Sequence, residues 1–422
     1  MTKRLRHYRW VSGIRLLAGS AASAVTLAAV LVAAFAAQAQ TFKILHAFSG
    51  SPDGANPTAS LIQDASGNLY GTTFSGGAFK YGTVFKLDTN GKETVLYSFT
   101  GLTDGTNPLG GVLMDAAGNL YGTTLYGATA NSGTVFKLDT AGTETVLHSF
   151  GGSDGANPTA GLIQDTTGNL YGTTYSGGDG GGTVFKLDTN GTETVLYSFP
   201  RLPRGSRHGQ NPEAGVVLDA AGNLYGTTYY CTYDHSKDCT PYLKHKDNCG
   251  EGCGVLFRLD TAGHETVLHF FSGHGSDGAF PHANLVWDAA GNLYTTTEYG
   301  GYGSCTLGCG TVFKLDLSGK KPRGIVLHNF TAGRNGAYPS ASVFRDAAGN
   351  LYGTTQVGGP ADSGTVFELT PKGKETVLYT FHGKEDGRYP QAGLLRDSAG
   401  NLYGTASEGG TYGYGVVFEL TP

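Results

Sequence analysis

Beyond its first 39 residues, the chain alternates short apolar runs with turns rich in Gly, Asp and Asn. The Val, Ile, Leu, Thr, Tyr and Phe content of these runs is typical of β-strands. The intervening residues 64–68 and 88–91 predict tight turns, because Asp can bond its own backbone and Gly tolerates positive φ. In the first unit the predicted strands are Ser60–Gln63, Asn68–Thr73, Thr83–Leu87 and Glu93–Phe99.

The segment Gly-Asn-Leu-Tyr-Gly-Thr-Thr recurs almost unchanged along the chain. A period near 50 residues with short strands indicates a propeller or a solenoid, and four antiparallel strands per unit make one propeller blade. The seven copies begin at Gly67, Gly118, Gly168, Gly222, Gly291, Gly349 and Gly400.

The strand count predicts how the ring closes. The third strand occurs seven times, from Thr83 to Val416, but the fourth follows only six of these copies. A seventh fourth strand lies at the other end of the chain, in Lys43–Phe48. An open solenoid has no need of this offset. We therefore predict an all-β, seven-bladed propeller over residues 40–422, in which an N-terminal strand completes the last blade.

Repeated aromatic and small residues indicate how the blades pack. Tyr70, Phe85, Tyr97 and Phe99 recur around the ring and predict a continuous aromatic core layer, since such side chains bury large areas. Gly71 is expected to allow neighbouring sheets to approach closely.

Residues 1–39 have the pattern of a secretory signal peptide. Five basic residues precede an apolar, Ala-rich stretch, and Ala37-Gln38-Ala39 fits a cleavage site. Secretion to the periplasm or the cell exterior is expected, without membrane insertion after cleavage; an uncleaved anchor is the alternative. Removing five basic residues from 29 leaves 24 Lys and Arg against 34 Asp and Glu, a formal charge of −10. No basic face is evident for nucleic acid, and a monomer is expected.

All six cysteines fall in units four and five, and an even count in an exported chain favours disulfides. Two C-x3-C pairs precede third strands at equivalent repeat positions, which favours local bridges. The third bridge follows by elimination, although six cysteines allow 15 connectivities. The rival interpretation is a four-cysteine zinc site in the insertion at residues 229–253, helped by His235 and His245. The predicted bridges are Cys249–Cys253, Cys305–Cys309 and Cys231–Cys239.

No catalytic motif is found in the sequence. The stretch from His264 to His269 resembles a metalloprotease motif, but it has one residue too many between Glu265 and the second His, and it lies on a strand. There is no nucleophile elbow and no phosphate loop. We therefore expect no catalytic residues and no metal or other cofactor.

An Asp-Gly turn precedes the first strand of most units. Propeller topology places these turns on the same face as the loops between second and third strands, which we term the loop face. The structural interpretation is an Asp that caps backbone amides; the functional one is a shallow polar ring for a sugar or a cation. The aspartates are Asp53, Asp104, Asp154, Asp277 and Asp386.

Unit four departs most from the repeat, and such departures are better ligand-binding candidates because the fold does not require them. Aromatic rings beside Asp, His and Arg suit a sugar, and arginines suit an anionic glycan. The alternative is an ordinary exposed loop braced by a disulfide. The candidates are Arg201, Arg204, Arg207, His208, Tyr229, Tyr230, Tyr233, Asp234, His235, Tyr242 and His245.

The unit D-G-x-x-P … D-x-x-G-N-L-Y-G-T-T … G-x-V-F-K-L … E-T-V-L-Y-S-F resembles the GloVer tandem-repeat family of exported bacterial proteins, from Lys43 to Pro422. The resemblance implies repeats of secreted or surface proteins, with no established activity and no catalytic residues to transfer. Members often carry a C-terminal anchoring tail. This chain ends within a blade, which argues against surface attachment.

These observations favour a secreted binding or scaffold module that recognises a polysaccharide or a cell-surface protein. The alternative is an extracellular carbohydrate-active enzyme, a lyase or hydrolase, with acid–base residues at non-repeated positions of the loop face. A third option is a purely structural surface protein.

Overall fold

The structure is a computed structural model that describes residues 40–201, 208–231, 254–273 and 277–421. Seven four-stranded antiparallel sheets form the blades of a propeller, as the repeat predicts. We number the blades 1 to 7 from the unit that contains Gly67. The predicted leader, residues 1–39, lies outside the described residues. No helix in the described part is long and apolar enough to cross a membrane.

Each blade runs from a two-residue innermost strand to a longer outermost one. The innermost strands are Ile62–Gln63, Leu113–Met114, Ile163–Gln164, Val217–Leu218, Val286–Trp287, Phe344–Arg345 and Leu395–Arg396. The second strands are Leu69–Thr73, Leu120–Thr124, Leu170–Thr174, Leu224–Thr228, Leu293–Thr297, Leu351–Thr355 and Leu402–Ala406. The third strands are Thr83–Leu87, Thr134–Leu138, Gly180–Leu187, Val255–Leu259, Thr311–Asp316, Thr365–Leu369 and Val416–Thr421.

The outermost strands include the N-terminal one that the sequence assigns to the last blade. They are Glu93–Ser98, Glu144–Ser149, Glu193–Pro200, Glu265–Phe270, Arg323–Asn329, Glu375–Thr380 and, in blade 7, Thr41–Ala47. Two short ribbons, Gly209–Gln210 with Tyr230–Cys231 and Gly278–Ala279 with Tyr299–Gly300, and a 3-10 helix at Gly333–Asn335 complete the described elements.

Blade 7 is closed by the two ends of the chain. Thr41–Ala47 pairs antiparallel with Val416–Thr421, from Thr41 opposite Thr421 to Ala47 opposite Val416. This confirms the predicted closure of the ring by an N-terminal strand.

The core between blades is a ring of phenylalanine pairs. A Phe at the end of each outermost strand packs edge-on against the third-strand Phe of the next blade; Phe48 lies 5.2 Å from Phe85, centroid to centroid. Both of these side chains are completely buried. The pairs are Phe48–Phe85, Phe99–Phe136, Phe150–Phe185, Phe199–Phe257, Phe271–Phe313, Phe330–Phe367 and Phe381–Phe418.

Gly71 has a different partner from the one we expected. A Cβ at this position would lie 2.8 Å from the Phe85 ring and from Leu61, both in the same blade. The glycine therefore makes room for the Phe85 ring on the neighbouring strand of its own sheet.

The constant Asp, Asn and Tyr of the repeat are explained by the turn before the second strand. Asp64 accepts hydrogen bonds from the Asn68 amide at 2.9 Å and from the Tyr70 hydroxyl at 3.0 Å. Although burial opposes the charge, these bonds keep the pKa of Asp64 below its ordinary value. These repeated residues are therefore used for folding.

The structure confirms the Cys305–Cys309 disulfide, which lies just before the third strand of blade 5. Cys239, Cys249, Cys253 and the side chain of Cys231 lie outside the described residues, so their pairing stays a prediction.

Replacing both Cys305 and Cys309 with Ser is expected to lower the free energy of unfolding by about 2 kcal/mol, since the closed loop is short. Chemical denaturation of the variant and the parent protein, followed by tyrosine fluorescence, measures the difference. A loss several times larger would show that the bridge supports the ring and not only its loop.

Candidate functional site

The innermost strands surround an axial channel of about 740 Å³. Its wall is built from the residues that follow the repeated Pro in each blade, and most of these are small, such as Ala59, Gly110, Ala160 and Ala214. Seven sheets converge at the axis, and the channel stays open there because these side chains are small. Larger or polar residues in the wall therefore determine what the channel can hold.

The residue directly after the repeated Pro differs from blade to blade. It is ionisable only in two adjacent blades, as Glu213 in blade 4 and His282 in blade 5. The residue directly after the second strand also varies, and in blades 4 and 5 it is Tyr229 and Glu298. All seven post-Pro residues line the channel or its entrance: Thr58, Leu109, Thr159, Glu213, His282, Ser340 and Gln391.

These non-repeated residues meet at the loop-face mouth of the channel, and we call Glu213, Tyr229, His282, Glu298 and Tyr299 the axial cluster. His282 Nε2 lies 3.0 Å from a Glu213 carboxylate oxygen. His282 Nδ1 donates a hydrogen bond to the backbone carbonyl of Ser340 at 3.1 Å. The Tyr229 hydroxyl donates to Glu298 at 3.2 Å.

The axial cluster favours a protonated imidazole. Burial lowers the pKa of His282, but the hydrogen bond to Glu213 and the charges of Glu213 and Glu298 outweigh it and raise that pKa above its ordinary value. Because Nδ1 already donates to Ser340, a proton on Nε2 gives Glu213 a charged partner. The side chain of His282 is still 42% exposed, so a ligand in the channel can reach it.

Glu298 is the second carboxyl group of the cluster, and its pKa is raised. Burial raises its pKa, which the His282 charge and the hydroxyls of Tyr229 and Tyr299 only partly offset. The same burial and the Glu298 charge raise the pKa of both tyrosines, so their hydroxyls stay neutral donors. The mouth of the channel thus places Glu298, which holds its proton more tightly than an ordinary glutamate, beside the imidazolium of His282.

Aromatic rings form the wall behind Glu298. Tyr229 lies 5.0 Å from Phe280, and Tyr299 lies 5.7 Å from Phe280 and 5.1 Å from Tyr338, centroid to centroid. Phe280 and Tyr338 occupy the position of Asn56 in blade 1, where the backbone also has positive φ. The wall therefore replaces repeated asparagines with rings in blades 5 and 6, next to the ionisable residues. This arrangement can bind hydroxyl groups through its polar atoms and apolar surface through its rings.

The structure places some of the predicted ligand residues in this region and others elsewhere. Tyr229 belongs to the axial cluster, and Tyr230 lies beside it, 5.8 Å from Phe280. His208 lies away from the axis, where its Nδ1 is 2.8 Å from Glu265. Arg201 is exposed. The remaining candidates lie outside the described residues: Arg204, Arg207, Tyr233, Asp234, His235, Tyr242 and His245.

The predicted ring of aspartates is occupied by internal hydrogen bonds. Asp104 accepts from the Tyr97 hydroxyl at 3.0 Å and from the Thr100 amide at 2.7 Å. Asp53 and Asp154 contact His46 and His148 in the same way. Asp277 and Asp386 likewise pair with His269 and Tyr379. These aspartates join each outermost strand to the loop that follows it.

One of these positions has the composition of a cation site. The ligand atoms of His148, Asp154 and Glu193 lie within 4.8 Å of one another, the one such set among the described residues. In the adjacent blade Tyr97 and Asp104 occupy the first two positions and are joined by a hydrogen bond. Tyr97 contacts its aspartate just as His148 does, and a phenol is not a usual metal ligand. The contact between the outermost strand and the aspartate is therefore explained by hydrogen bonding, without a metal.

Glu213, His282 and Glu298 were not predicted from the sequence. Aligning the seven units on the repeated Pro would have revealed Glu213 and His282 as departures, and aligning them on the second strand would have revealed Glu298. The insertion in unit four is a longer departure from the repeat than these single residues, and the predicted ligand site was therefore placed at that insertion.

Solved structures similar to this chain are also propellers. A puromycin hydrolase variant superposes with a TM-score of 0.53 at 13% identity, covering 85% of this chain and 51% of that one. The extracellular domain of a candidate one-component system from B. thetaiotaomicron gives 0.55 at 11% identity, covering 89% and 39%. A candidate 6-phosphogluconolactonase from Bacteroides fragilis gives 0.51 at 17% identity, covering 80% and 87%. At these identities the likeness shows the fold alone.

A search of curated proteins found no match.

The repeat itself identifies the family. The family model of the Gloeobacter/Verrucomicrobia repeat matches residues 17–240 and 233–422, nearly the whole chain. Its two matches cover the seven Gly-Asn-Leu-Tyr units that form the blades described above, and the chain therefore belongs to the Gloeobacter/Verrucomicrobia repeat family.

Proposed function

We propose that this protein is an exported carbohydrate-binding propeller that holds a sugar at the mouth of its axial channel. The observation that supports the proposal is the meeting of Glu213, His282 and Glu298 at one point of the ring. None of these residues is required by the repeat. They come from two adjacent blades, and the other blades carry uncharged residues at the same positions.

The chemistry of the mouth suits a ligand with many hydroxyl groups. Carboxylate oxygens accept from hydroxyls, and the imidazolium and tyrosine hydroxyls donate to them. Bonds to charged groups are the stronger ones, so Glu213 and His282 would fix the orientation of the ligand. The aromatic wall of Tyr229, Phe280 and Tyr299 would contact the apolar face of a sugar ring. A concave site with few polar groups and apolar walls is the usual form of a ligand pocket.

Export is the second part of the proposal. Residues 1–39 have the pattern of a secretory signal peptide, and the Cys305–Cys309 bridge fits an oxidising compartment. A polysaccharide or a cell-surface glycan would be accessible to the protein there.

A hydrolase or lyase acting on carbohydrate is the second candidate function. It is favoured by the raised pKa of Glu298 next to a second carboxyl group, because a protonated carboxyl group can act as a general acid. In that case Glu298 would donate the proton and Glu213 would act as base or nucleophile.

Binding can be tested with the purified protein and oligosaccharides of glucose, mannose, galactose, xylose and N-acetylglucosamine, first on an array and then by calorimetry. Glu298→Gln and His282→Ala are each expected to weaken binding about tenfold or more, the loss of one charged hydrogen bond. Leu125→Ala is the matched control, since Leu125 occupies in blade 2 the position of Glu298. It should leave the affinity unchanged.

The same preparations separate the two candidate functions. Reducing ends released from a bound sugar, and lost in Glu298→Gln, would establish the enzyme. Binding without release would support the binding protein. Equal affinity of the parent protein and both cluster variants would remove the axial cluster as the site.

A further inference from the structure

A second surface feature of the loop face is unrelated to the axial cluster. Seven large apolar side chains of the described residues are strongly exposed, and six of them lie in blades 7, 1 and 2. We call these six the aromatic belt. Their exposed fractions are 61% for Tyr412, 46% for Tyr414, 53% for Phe79, 43% for Tyr81, 72% for Leu102 and 41% for Tyr126.

The centre of the belt is built from one loop design used twice. Residues 76–82 read Gly-Gly-Ala-Phe-Lys-Tyr-Gly, and residues 409–415 read Gly-Gly-Thr-Tyr-Gly-Tyr-Gly. Each loop is closed by a parallel bridge, Gly76 with Tyr81 and Gly409 with Tyr414. The loops therefore present Phe79 and Tyr412 from the same place in adjacent blades.

Glycines in the neighbouring loops let two of the rings approach the backbone closely. A Cβ at Gly101 would lie 2.3 Å from the Tyr81 ring, and one at Gly50 would lie 3.1 Å from the Tyr414 ring. Both glycines also have positive φ, so other residues are disfavoured there. Each ring is thus supported on one side while much of its surface faces solvent.

Backbone hydrogen bonds hold the two loops in a fixed relation. The Tyr414 carbonyl accepts from the Asn56 amide at 2.8 Å, and the Gly50 carbonyl accepts from the Gly77 amide at 2.9 Å. The segment that contains Gly50 and Asn56 therefore bridges the aromatic loops of blades 7 and 1. On the other side, the Leu102 carbonyl accepts from the Ala128 amide at 3.2 Å, which extends the belt into blade 2.

We propose that the aromatic belt binds a chain of neutral polysaccharide by stacking successive sugar units on its rings. The face of an aromatic ring is electron-rich, and the C–H groups on the apolar face of a sugar ring are attracted to it. Lys80 is the one charged residue within the two loops, so the belt has no charge pattern for an acidic polymer. A repeated ring in adjacent blades matches a ligand that itself repeats.

An exposed apolar patch of this kind marks an interaction surface. The repetition of the ring in two adjacent blades favours a polymer over a protein as the ligand. The belt does not depend on the axial cluster: it occupies blades 7, 1 and 2, whereas the charged residues of the cluster come from blades 4 and 5. A polysaccharide held on the belt would still leave the channel mouth free for one sugar unit.

Affinity gel electrophoresis with hydroxyethylcellulose, mixed-linkage β-glucan or galactomannan tests the proposal, with polygalacturonate as the acidic polymer. The parent protein is expected to be retarded by at least one neutral polymer and not by polygalacturonate. The double variant Phe79→Ala, Tyr412→Ala should bind that polymer at least about tenfold more weakly, because two stacking contacts are lost.

Tyr302→Ala is the matched control. Tyr302 is 70% exposed in the corresponding loop of blade 5, but it stands apart from the belt. Its loss should leave the retardation unchanged, and all variants should melt like the parent protein.

Three results would overturn the proposal. The first is the absence of retardation by every neutral polymer, and the second is equal retardation of the parent protein and the double variant. The third is a dimer of the parent protein in sedimentation analysis that the double variant abolishes, since the belt would then join two copies. Retardation that is lost in Glu298→Gln but kept in the double variant would assign the polymer to the axial cluster, so failures at the two sites are distinguishable.

Discussion

Removal of residues 40–50 is expected to abolish cooperative folding, although these residues form only one strand at the start of the described chain. The segment supplies the outermost strand of blade 7. It also supplies Phe42, which stacks on Tyr379 at 3.9 Å, and Phe48, which is completely buried against Phe85. Loss of two such aromatic side chains and a strand costs roughly 10 kcal/mol, about the whole net stability of a typical protein.

Thermal unfolding followed by circular dichroism, on the parent protein and the truncated form, measures this effect. The truncated form exposes the edge of Val416–Thr421, so we also expect it to aggregate. A synthetic peptide of residues 40–50 is the control, because adding it should restore the missing strand and part of the stability. If the truncated protein melts at the temperature of the parent protein, the ring does not depend on this closure.

The architecture was predictable because the same strand and turn motifs occur in seven units of the sequence. Seven third strands and six following fourth strands required the missing strand to be Lys43–Phe48, and the pairing of Thr41–Ala47 with Val416–Thr421 confirms it. The role of Gly71 was predicted wrongly, because composition shows that space is needed but not which side chain fills it. The space belongs to Phe85 of the same sheet.

The candidate site was less predictable for a physical reason. Glu213 and Glu298 are 85 positions apart in the sequence, and only the convergence of the blades on the axis brings their environments together. Tyr229 and Tyr230 were among the predicted ligand-binding candidates, since the insertion in unit four begins with them. The belt residues Phe79 and Tyr412 were assigned no role, because exposure cannot be deduced from an aromatic residue in a Gly-rich loop.

The second large effect is a dependence of stability on pH. We expect the free energy of unfolding to fall as the pH rises from about 4.5 to about 7. Glu93, Glu144 and Glu193 begin the outermost strands of blades 1 to 3, and each has one buried carboxylate oxygen with no hydrogen-bond partner. Burial, and then the charge of the facing aspartate, raises the pKa of each to about 7. The facing aspartates are Asp53, Asp104 and Asp154.

The sign of the effect follows from proton binding. Between the unfolded pKa of 4.5 and the folded value of about 7, the folded protein holds more protons at these three sites than the unfolded chain does. Raising the pH therefore favours unfolding, and the loss is complete above the folded pKa. Glu298 and His282 act in the same direction, because the pKa of each is raised. His46 opposes it, because burial lowers its pKa despite the contact with Asp53.

Four carboxyl groups and His282 outweigh His46, so we expect a net decline of a few kcal/mol between about pH 5 and about pH 8. Urea denaturation across this range measures it. In the triple variant Glu93→Gln, Glu144→Gln, Glu193→Gln, neutral amides replace the carboxyl groups, so most of the decline should be lost, and Glu298 and His282 account for what remains. Glu385→Gln is the control, because Glu385 is exposed and its loss should leave the slope unchanged. A triple variant that keeps the full decline would show that these carboxyl groups are ionised at little cost and that the slope arises elsewhere in the ring.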